Sequence, residues 1–246
     1  MSVLTWQDDE SFETGGITYV CRPLDGRFPS HPSRFCLLKA RWQVEWYEKL
    51  LLDLEPRTIV EIGTFDGASA ALFTQIARPN KLVTIDRRPE SSAALADFMT
   101  ADGFAGRVAA YGGVDQGDAV HLRQILDEEF HDEPLDLVID DASHRLDLSR
   151  RTFNCIFPHL RAGGKYVIED WSWTLTATWN TTDDIPLTVL VFELILACAQ
   201  RPSAVSNVSV YKNWVVVTRG DAELDSGTFD VAACYGPKAR SLVAGL

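Results

Sequence analysis

Two short acidic segments hold most of the chemistry this chain could perform. Asp140-Asp141-Ala-Ser-His144 closes an apolar run that begins at Leu135, and Glu169-Asp170-Trp171 closes the run Lys165-Tyr-Val-Ile. Such runs read as buried parallel strands. Ligands of open α/β sheets sit outside the carboxyl ends of their strands, so these acids and His144 are expected on a ligand-binding edge. Four carboxylates gathered there repel one another. A hard divalent cation with oxygen ligands, Mg²⁺ first, would neutralise them. The competing structural use of the same groups is plain: strand-end acids cap helices or pair with arginines such as Arg145, Arg150 and Arg151. A histidine at a helix start can simply bond the backbone.

A second constellation lies upstream. Thr58 to Ile62 is a β-branched run between Pro56 and Gly63, and Ala68 to Ala77 has helical character. The turn between them has the spacing Glu61-x-Gly63-x-x-x-Gly67, with Thr64 and Ser69 beside the glycines. Glycines permit close backbone approach, and a helix N-terminus offers free N–H groups to a nucleotide-type ligand. The pyrophosphate-binding spacing Gly-x-Gly-x-x-Gly is absent. The next strand, Lys81 to Asp86, ends in an acid that can accept both hydroxyls of a ribose, followed by Arg87. At a third strand end, Asp115 and Gln116 could reach an adenine edge. Equally, Asp115 could hold a turn and Asp118 cap the next helix.

The strand, glycine turn, helix and strand-end acid together resemble the class I S-adenosylmethionine-dependent methyltransferases over residues 37 to 220. The resemblance implies S-adenosyl-L-methionine as cofactor, held by Glu61, Gly63, Thr64, Gly67, Ser69, Asp86, Arg87, Asp115 and Gln116. The pattern Asp-Asp-x-Ser-His followed by a strand ending Glu-Asp resembles a narrower group. These are the metal-dependent sugar O-methyltransferases of macrolide biosynthesis (the mycinamicin type) and the related cephalosporin-hydroxylase-like proteins. That likeness implies a divalent cation on Asp141, Glu169 and Asp170, with His144 as general base flanked by Asp141. Asp140 then belongs near the sulfonium or the adenosine edge. The group usually has Gly where this chain has Ala142. The implied reaction is O-methylation of a small-molecule hydroxyl, on a natural-product sugar or a polyketide or aromatic acceptor. A homo-oligomer is in keeping with this group. The rival readings are a nicotinamide-dependent oxidoreductase and a non-catalytic cofactor-binding partner protein; a hydroxylase-like role has least support in the residues.

Composition narrows the partners. The chain has 246 residues, 46 % hydrophobic, with a formal net charge of −12. An acidic protein without a Lys/Arg run is a poor match for a nucleic-acid backbone. Five scattered cysteines without metal-binding spacing fit a reducing compartment. Residues 1–10 are polar and acidic rather than a signal peptide, and Leu187 to Ala199 is too short and interrupted to span a bilayer. A cytoplasmic location and no membrane partner follow as expectations.

The elements that must position these groups read as an α/β, Rossmann-like class I methyltransferase fold. It has a mostly parallel seven-stranded sheet, helices on both faces and a C-terminal antiparallel hairpin. One domain is expected over residues 1–246, divided into an N-terminal loop or lid (1–36), the core (37–220) and a tail (221–246). A helix over Leu38 to Leu54 is expected to pack through Trp42, Trp46, Leu50 and Leu54. Further helices are expected over Ser91 to Thr100, Val120 to Phe130, Leu148 to Leu160 (ended by Gly163-Gly164) and Ile185 to Gln200. The hairpin is expected to pair Val208 to Tyr211 with Trp214 to Thr218. The loop Trp171 to Asp184, with Trp171, Trp173 and Trp179, could line an acceptor pocket or a subunit contact.

Overall fold

The computed structural model describes residues 2–101, 103–131, 133–175 and 186–245. Its strands and helices run β1 (Thr5–Trp6), β2 (Ser11–Thr14), β3 (Ile17–Cys21), β4 (Arg34–Leu37), α1 (Arg41–Leu54), β5 (Thr58–Ile62) and α2 (Ala68–Ala77). They continue through β6 (Lys81–Asp86), α3 (Ala93–Thr100), β7 (Val108–Gly112), α4 (Ala119–Phe130), β8 (Leu135–Asp140) and α5 (Leu146–Ile156). The last are β9 (Leu160–Glu169), α6 (Thr188–Gln200), β10 (Val205–Val210), β11 (Trp214–Arg219) and α7 (Pro237–Val243). A seven-stranded sheet has the order β10-β11-β9-β8-β5-β6-β7, and β1 to β4 form a separate four-stranded sheet. Pairs β6/β7 and β8/β9 are parallel, while β11 runs antiparallel to both β9 and β10. The chain divides into two compact units, Met1–Ile59 with Thr64–Gly113, and Val60–Gly63 with Val114–Leu246.

In the first unit, the N-terminal segment is not the loop expected for residues 1–36. Its four strands are held by an aromatic ladder. Phe12 pairs with Tyr19 and Tyr19 with Phe35 across the sheet, and all three are fully buried. Their rings stack at centroid distances of 5.2 and 5.7 Å, and Phe35 meets Phe98 of α3 edge-on at 6.3 Å. Cross-strand aromatic pairs of this kind contribute roughly 0.5–1.5 kcal/mol each beyond area burial. Strands of two to five residues are too short to display a period-2 pattern, which is why the sequence reads as loop there. Residues 22–33 do remain largely irregular, with one 3-10 turn at Leu24–Gly26.

Helix α1 buries a different face from the expected tryptophan stripe. Val44, Tyr47, Glu48 and Leu51 are buried, whereas Trp42 is exposed. The i, i+3, i+4, i+7 spacing of the buried set is the amphipathic helix pattern. It was obscured because one member is an acid. Glu48 accepts hydrogen bonds from the Val3 N–H at 2.7 Å and the Leu4 N–H at 3.2 Å, fastening the N-terminus to the helix.

In the second unit, Gly163-Gly164 does not end a helix. Helix α5 stops at Ile156, followed by a 3-10 turn over Phe157–His159 that contains Pro158. Proline has no N–H to continue the α-helical ladder. The glycines lie within β9, where Leu135 pairs with Leu160 but Leu137 pairs with Lys165. Residues 161–164 therefore bulge opposite Asp136 alone, and Arg161 forms an ion pair with Asp136. The tail is ordered against α5 and α6. Phe229 joins the Phe153 and Phe157 rings at 6.4 and 5.9 Å. The Tyr235 hydroxyl donates to the buried Glu193 at 2.7 Å, and Glu193 also pairs with Arg150.

Candidate active site

The chemistry-bearing residues of the second unit cluster at the carboxyl ends of the parallel strands β8 and β9. Donor atoms of Asp141, His144 and Asp170 all lie within 4.8 Å of one another. His144 Nε2 stands 3.9 Å from Asp141 Oδ1. Two members of this group hold strained backbone: His144 has φ 54° and Asp170 φ 52°. Non-glycine residues in the left-handed region cost of order 1–3 kcal/mol each and concentrate at functional sites. Asp141 and Asp170, two of the three acids expected to hold a cation, are brought together with His144, the expected base, and their carboxylates are oxygen donors of the kind a hard divalent cation takes. Glu169, the third expected ligand, is fully buried at the end of β9 opposite Trp214 and is outside this group.

Each member is positioned by identifiable backbone. The Asp141 N–H donates to the Ile62 carbonyl at 2.8 Å. A Cβ on Gly63 would sit 2.2 Å from the Asp141 carbonyl oxygen. The glycine at 63, with φ 101°, is thus required by the close approach of the β8 terminus. Asp170 is fixed by the turn between β10 and β11. Its N–H donates to the Asn213 carbonyl at 2.7 Å, and its Oδ1 accepts from Asn213 Nδ2 at 3.3 Å. The chain then makes a 3-10 turn over Trp173–Leu175, and the Trp173 ring lies 5.0 Å from the His144 ring. Trp171 bonds back to the Tyr211 carbonyl at 3.0 Å. Trp179 lies outside the described residues. Ala142 is not among the residues with positive φ, so the turn there has no need of the glycine usual in the resembling group.

Asp140 and Gln116 form a buried brace beneath this edge. Asp140 Oδ2 accepts from the Tyr166 hydroxyl and Oδ1 from Gln116 Nε2, both at 3.3 Å. Gln116 Oε1 accepts from the Ser143 N–H at 2.9 Å, and its Nε2 also reaches Thr152 Oγ1 at 3.2 Å. Burial, reinforced by the charge of Asp141, pushes the Asp140 carboxyl up to about 7; the bonds from Tyr166, Ala142 and Gln116 oppose the rise. Gln116 is thus occupied in joining α5 to the β8 terminus. Asp115 accepts from the Gly117 N–H at 2.8 Å, and Asp118 caps α4 through the N–H groups of Val120 and His121. The turn and the helix cap that the sequence allowed for this loop are both formed. Glu61 is buried at the end of β5.

In the first unit, Asp86 ends β6 and its carboxylate accepts from the Phe65 N–H at 2.8 Å and from Arg88. Burial alone would raise its pKa; the bonds from Arg88 and Phe65 outweigh that and hold it below the usual carboxylate value. Thr64 is buried with its hydroxyl 2.6 Å from that of Thr84. Gly67, at φ 81°, begins α2, and a Cβ there would overlap Leu95 at 2.7 Å. Ser69 is half-buried in the first turn of α2, and Arg87 is exposed. Arg88, Phe65, Tyr166 and Asn213 carry no site signal in the sequence, whereas Trp173 belongs to the tryptophan-rich loop named there as a possible lining of the acceptor pocket.

The strand order, the antiparallel β11 and the strand-end acids define a class I methyltransferase fold, and residues 60–171 match a family described as a methyltransferase domain. The solved MycE methyltransferase of the mycinamycin biosynthetic pathway, in complex with Mg, SAH and mycinamycin VI, superposes with a TM-score of 0.59 at 26 % identity. The match covers 76 % of this chain and 51 % of that one. L-olivosyl-oleandolide 3-O-methyltransferase of Streptomyces antibioticus is 41 % identical over 73 residues, 30 % of this chain and 17 % of that protein. The tomaymycin-pathway O-methyltransferase TomG of Streptomyces achromogenes shares the fold at a TM-score of 0.56 and 24 % identity, covering 75 % of this chain and 82 % of that one. The matched stretch thus spans about half of the mycinamycin enzyme and a much smaller part of the oleandolide enzyme.

Proposed function

We propose that this protein is an S-adenosylmethionine-dependent O-methyltransferase acting on a hydroxyl of a natural-product sugar, with divalent-metal assistance. The observation that carries the reading is the convergence of Asp141, His144 and Asp170 within 4.8 Å at the ends of adjacent parallel strands. The relatives named above support it by their own activities. The sulfonium cofactor supplies an already activated methyl group. A bound divalent cation would lower the pKa of an acceptor hydroxyl and fix its orientation.

The chain's own residues supply the remainder. Asp141 and Asp170 would hold the cation; Glu169, the third ligand the resemblance implies, lies outside their group and would have to approach it. His144, beside Asp141, would take the acceptor's proton as general base. Trp173 backs the imidazole and limits its rotation. Asp86 would accept hydrogen bonds from the ribose hydroxyls of the cofactor. Glu61, Gly63, Thr64, Gly67 and Ser69 belong to the turn proposed to carry its amino-acid end. Arg87 and Asp115 are assigned the cofactor-binding roles that the resemblance implies, while the Gln116 amide, bonded to Asp140, Thr152 and Ser143, would have to rearrange to reach a cofactor.

Thermal denaturation with S-adenosylhomocysteine or NAD, followed by mass analysis of desmethyl glycosides incubated with S-adenosylmethionine, tests the reading. Stabilisation by S-adenosylhomocysteine alone and gain of one methyl group are expected. Stabilisation by NAD alone would favour an oxidoreductase, and cofactor binding without transfer to any glycoside would favour the non-catalytic alternative.

A further inference from the structure

Asp86 holds a full set of hydrogen bonds within its own unit. Oδ1 accepts from the Arg88 N–H at 2.8 Å and Arg88 Nε at 3.2 Å. Oδ2 accepts from the Phe65 N–H at 2.8 Å and Arg88 Nη2 at 3.2 Å. A carboxylate offers about four lone-pair directions, so a diol cannot bind without taking over some of them. The two backbone bonds are the shorter ones and belong to a rigid frame. The Arg88 carbonyl accepts from the Gly113 N–H at 2.9 Å, and a Cβ on Gly112 would lie 2.4 Å from the Pro89 carbonyl oxygen. That packing fixes the Arg88 backbone against the end of β7. The two longer bonds come from a guanidinium whose side chain is 46 % exposed and whose Cζ rests 4.7 Å above the Phe65 ring.

We infer that the Arg88 side chain is a displaceable clasp that sets ligand affinity at Asp86 by competing with ribose hydroxyls for its oxygens. The inference rests on the proposed reading of Asp86 as the ribose acid. A vicinal diol takes the two positions held by the guanidinium, while the Phe65 and Arg88 N–H bonds remain. The Phe65 face gives the released guanidinium a resting place through cation–π contact. With the guanidinium half open to water, a charge pair of this type shifts an equilibrium by a factor of roughly five or less, so the clasp tunes affinity without blocking binding. Being ionic, the competition weakens as salt rises.

Calorimetric titration with S-adenosylhomocysteine tests this in the wild type, Arg88→Met, Asp86→Ala and the double variant, at low and high salt. Methionine keeps an apolar chain on Phe65 and removes the charge. Arg88→Met should bind about two- to fivefold more tightly than wild type at low salt, with the gap closing at high salt. Asp86→Ala should weaken binding, and adding Arg88→Met to it should change nothing further. Equal or weaker binding by Arg88→Met, with Asp86→Ala still impaired, overturns the clasp and leaves the ribose assignment standing. Unchanged affinity in Asp86→Ala overturns the ribose assignment and the clasp with it.

Discussion

His144 occupies strained backbone beside Asp141 and against the Trp173 ring, a costly arrangement for a residue that only starts a helix. If it accepts the acceptor's proton, His144→Ala should lower turnover about 10²–10⁴-fold while S-adenosylhomocysteine affinity changes little. Comparable losses in both would instead mark a structural role. Asp140 gives a separate test by pH. Its folded-state pKa of about 7 lies above the unfolded value near 3.9. The folded form therefore binds this proton more tightly. The stability it contributes is full below about pH 4 and is lost as pH rises through about 7. Asp140→Asn should flatten the pH dependence of urea midpoints across that window in chelator-treated protein. An unaltered slope would mean that the carboxyl titrates elsewhere.

At the scale of elements, the junction between the ends of β5 and β8 fixes the position of Asp141. Gly63→Ala would place a Cβ 2.2 Å from the Asp141 carbonyl oxygen at φ 101°, so a loss of roughly 2–4 kcal/mol in urea unfolding is expected. Wild-type stability would show that the strand ends separate readily. Strands β5 and β6 and helix α2 have the bounds their sequence suggests, because long apolar runs punctuated by glycine and proline leave few alternatives. The acidic strand ends were legible for the same reason. The N-terminal sheet was not, since its stability comes from Phe12, Tyr19 and Phe35 stacking across segments distant in sequence. The α1 face was misread because Glu48 points inward to backbone N–H groups that no helical pattern reveals. The Gln116 amide braces β8 and α5, a pairing the sequence does not reveal because it exists only once the sheet has formed.

Across the whole molecule, each unit carries its own part of the proposed chemistry. The cation and base group lies in the second unit, together with the tail that docks through Glu193, Arg150 and Tyr235. Arg150→Met would leave the buried Glu193 with the Tyr235 hydroxyl but no cationic partner. With Arg150 31 % exposed, the expected cost is roughly 1–3 kcal/mol, less than for a fully buried pair. A change within experimental error in the urea midpoint would show that the tail is held by its aromatic contacts instead. No described helix is long and apolar enough to cross a membrane.

The most direct measurement is methyl transfer from S-adenosylmethionine to an accepted glycoside, in wild type and Asp141→Asn, after chelation and after Mg²⁺ is restored. Wild-type transfer should stop on chelation and return with Mg²⁺, while Asp141→Asn should stay impaired at concentrations that restore the wild type. Full transfer by chelated wild-type protein, or by Asp141→Asn without added metal, would contradict the assignment of Asp141, His144 and Asp170 to metal-assisted catalysis.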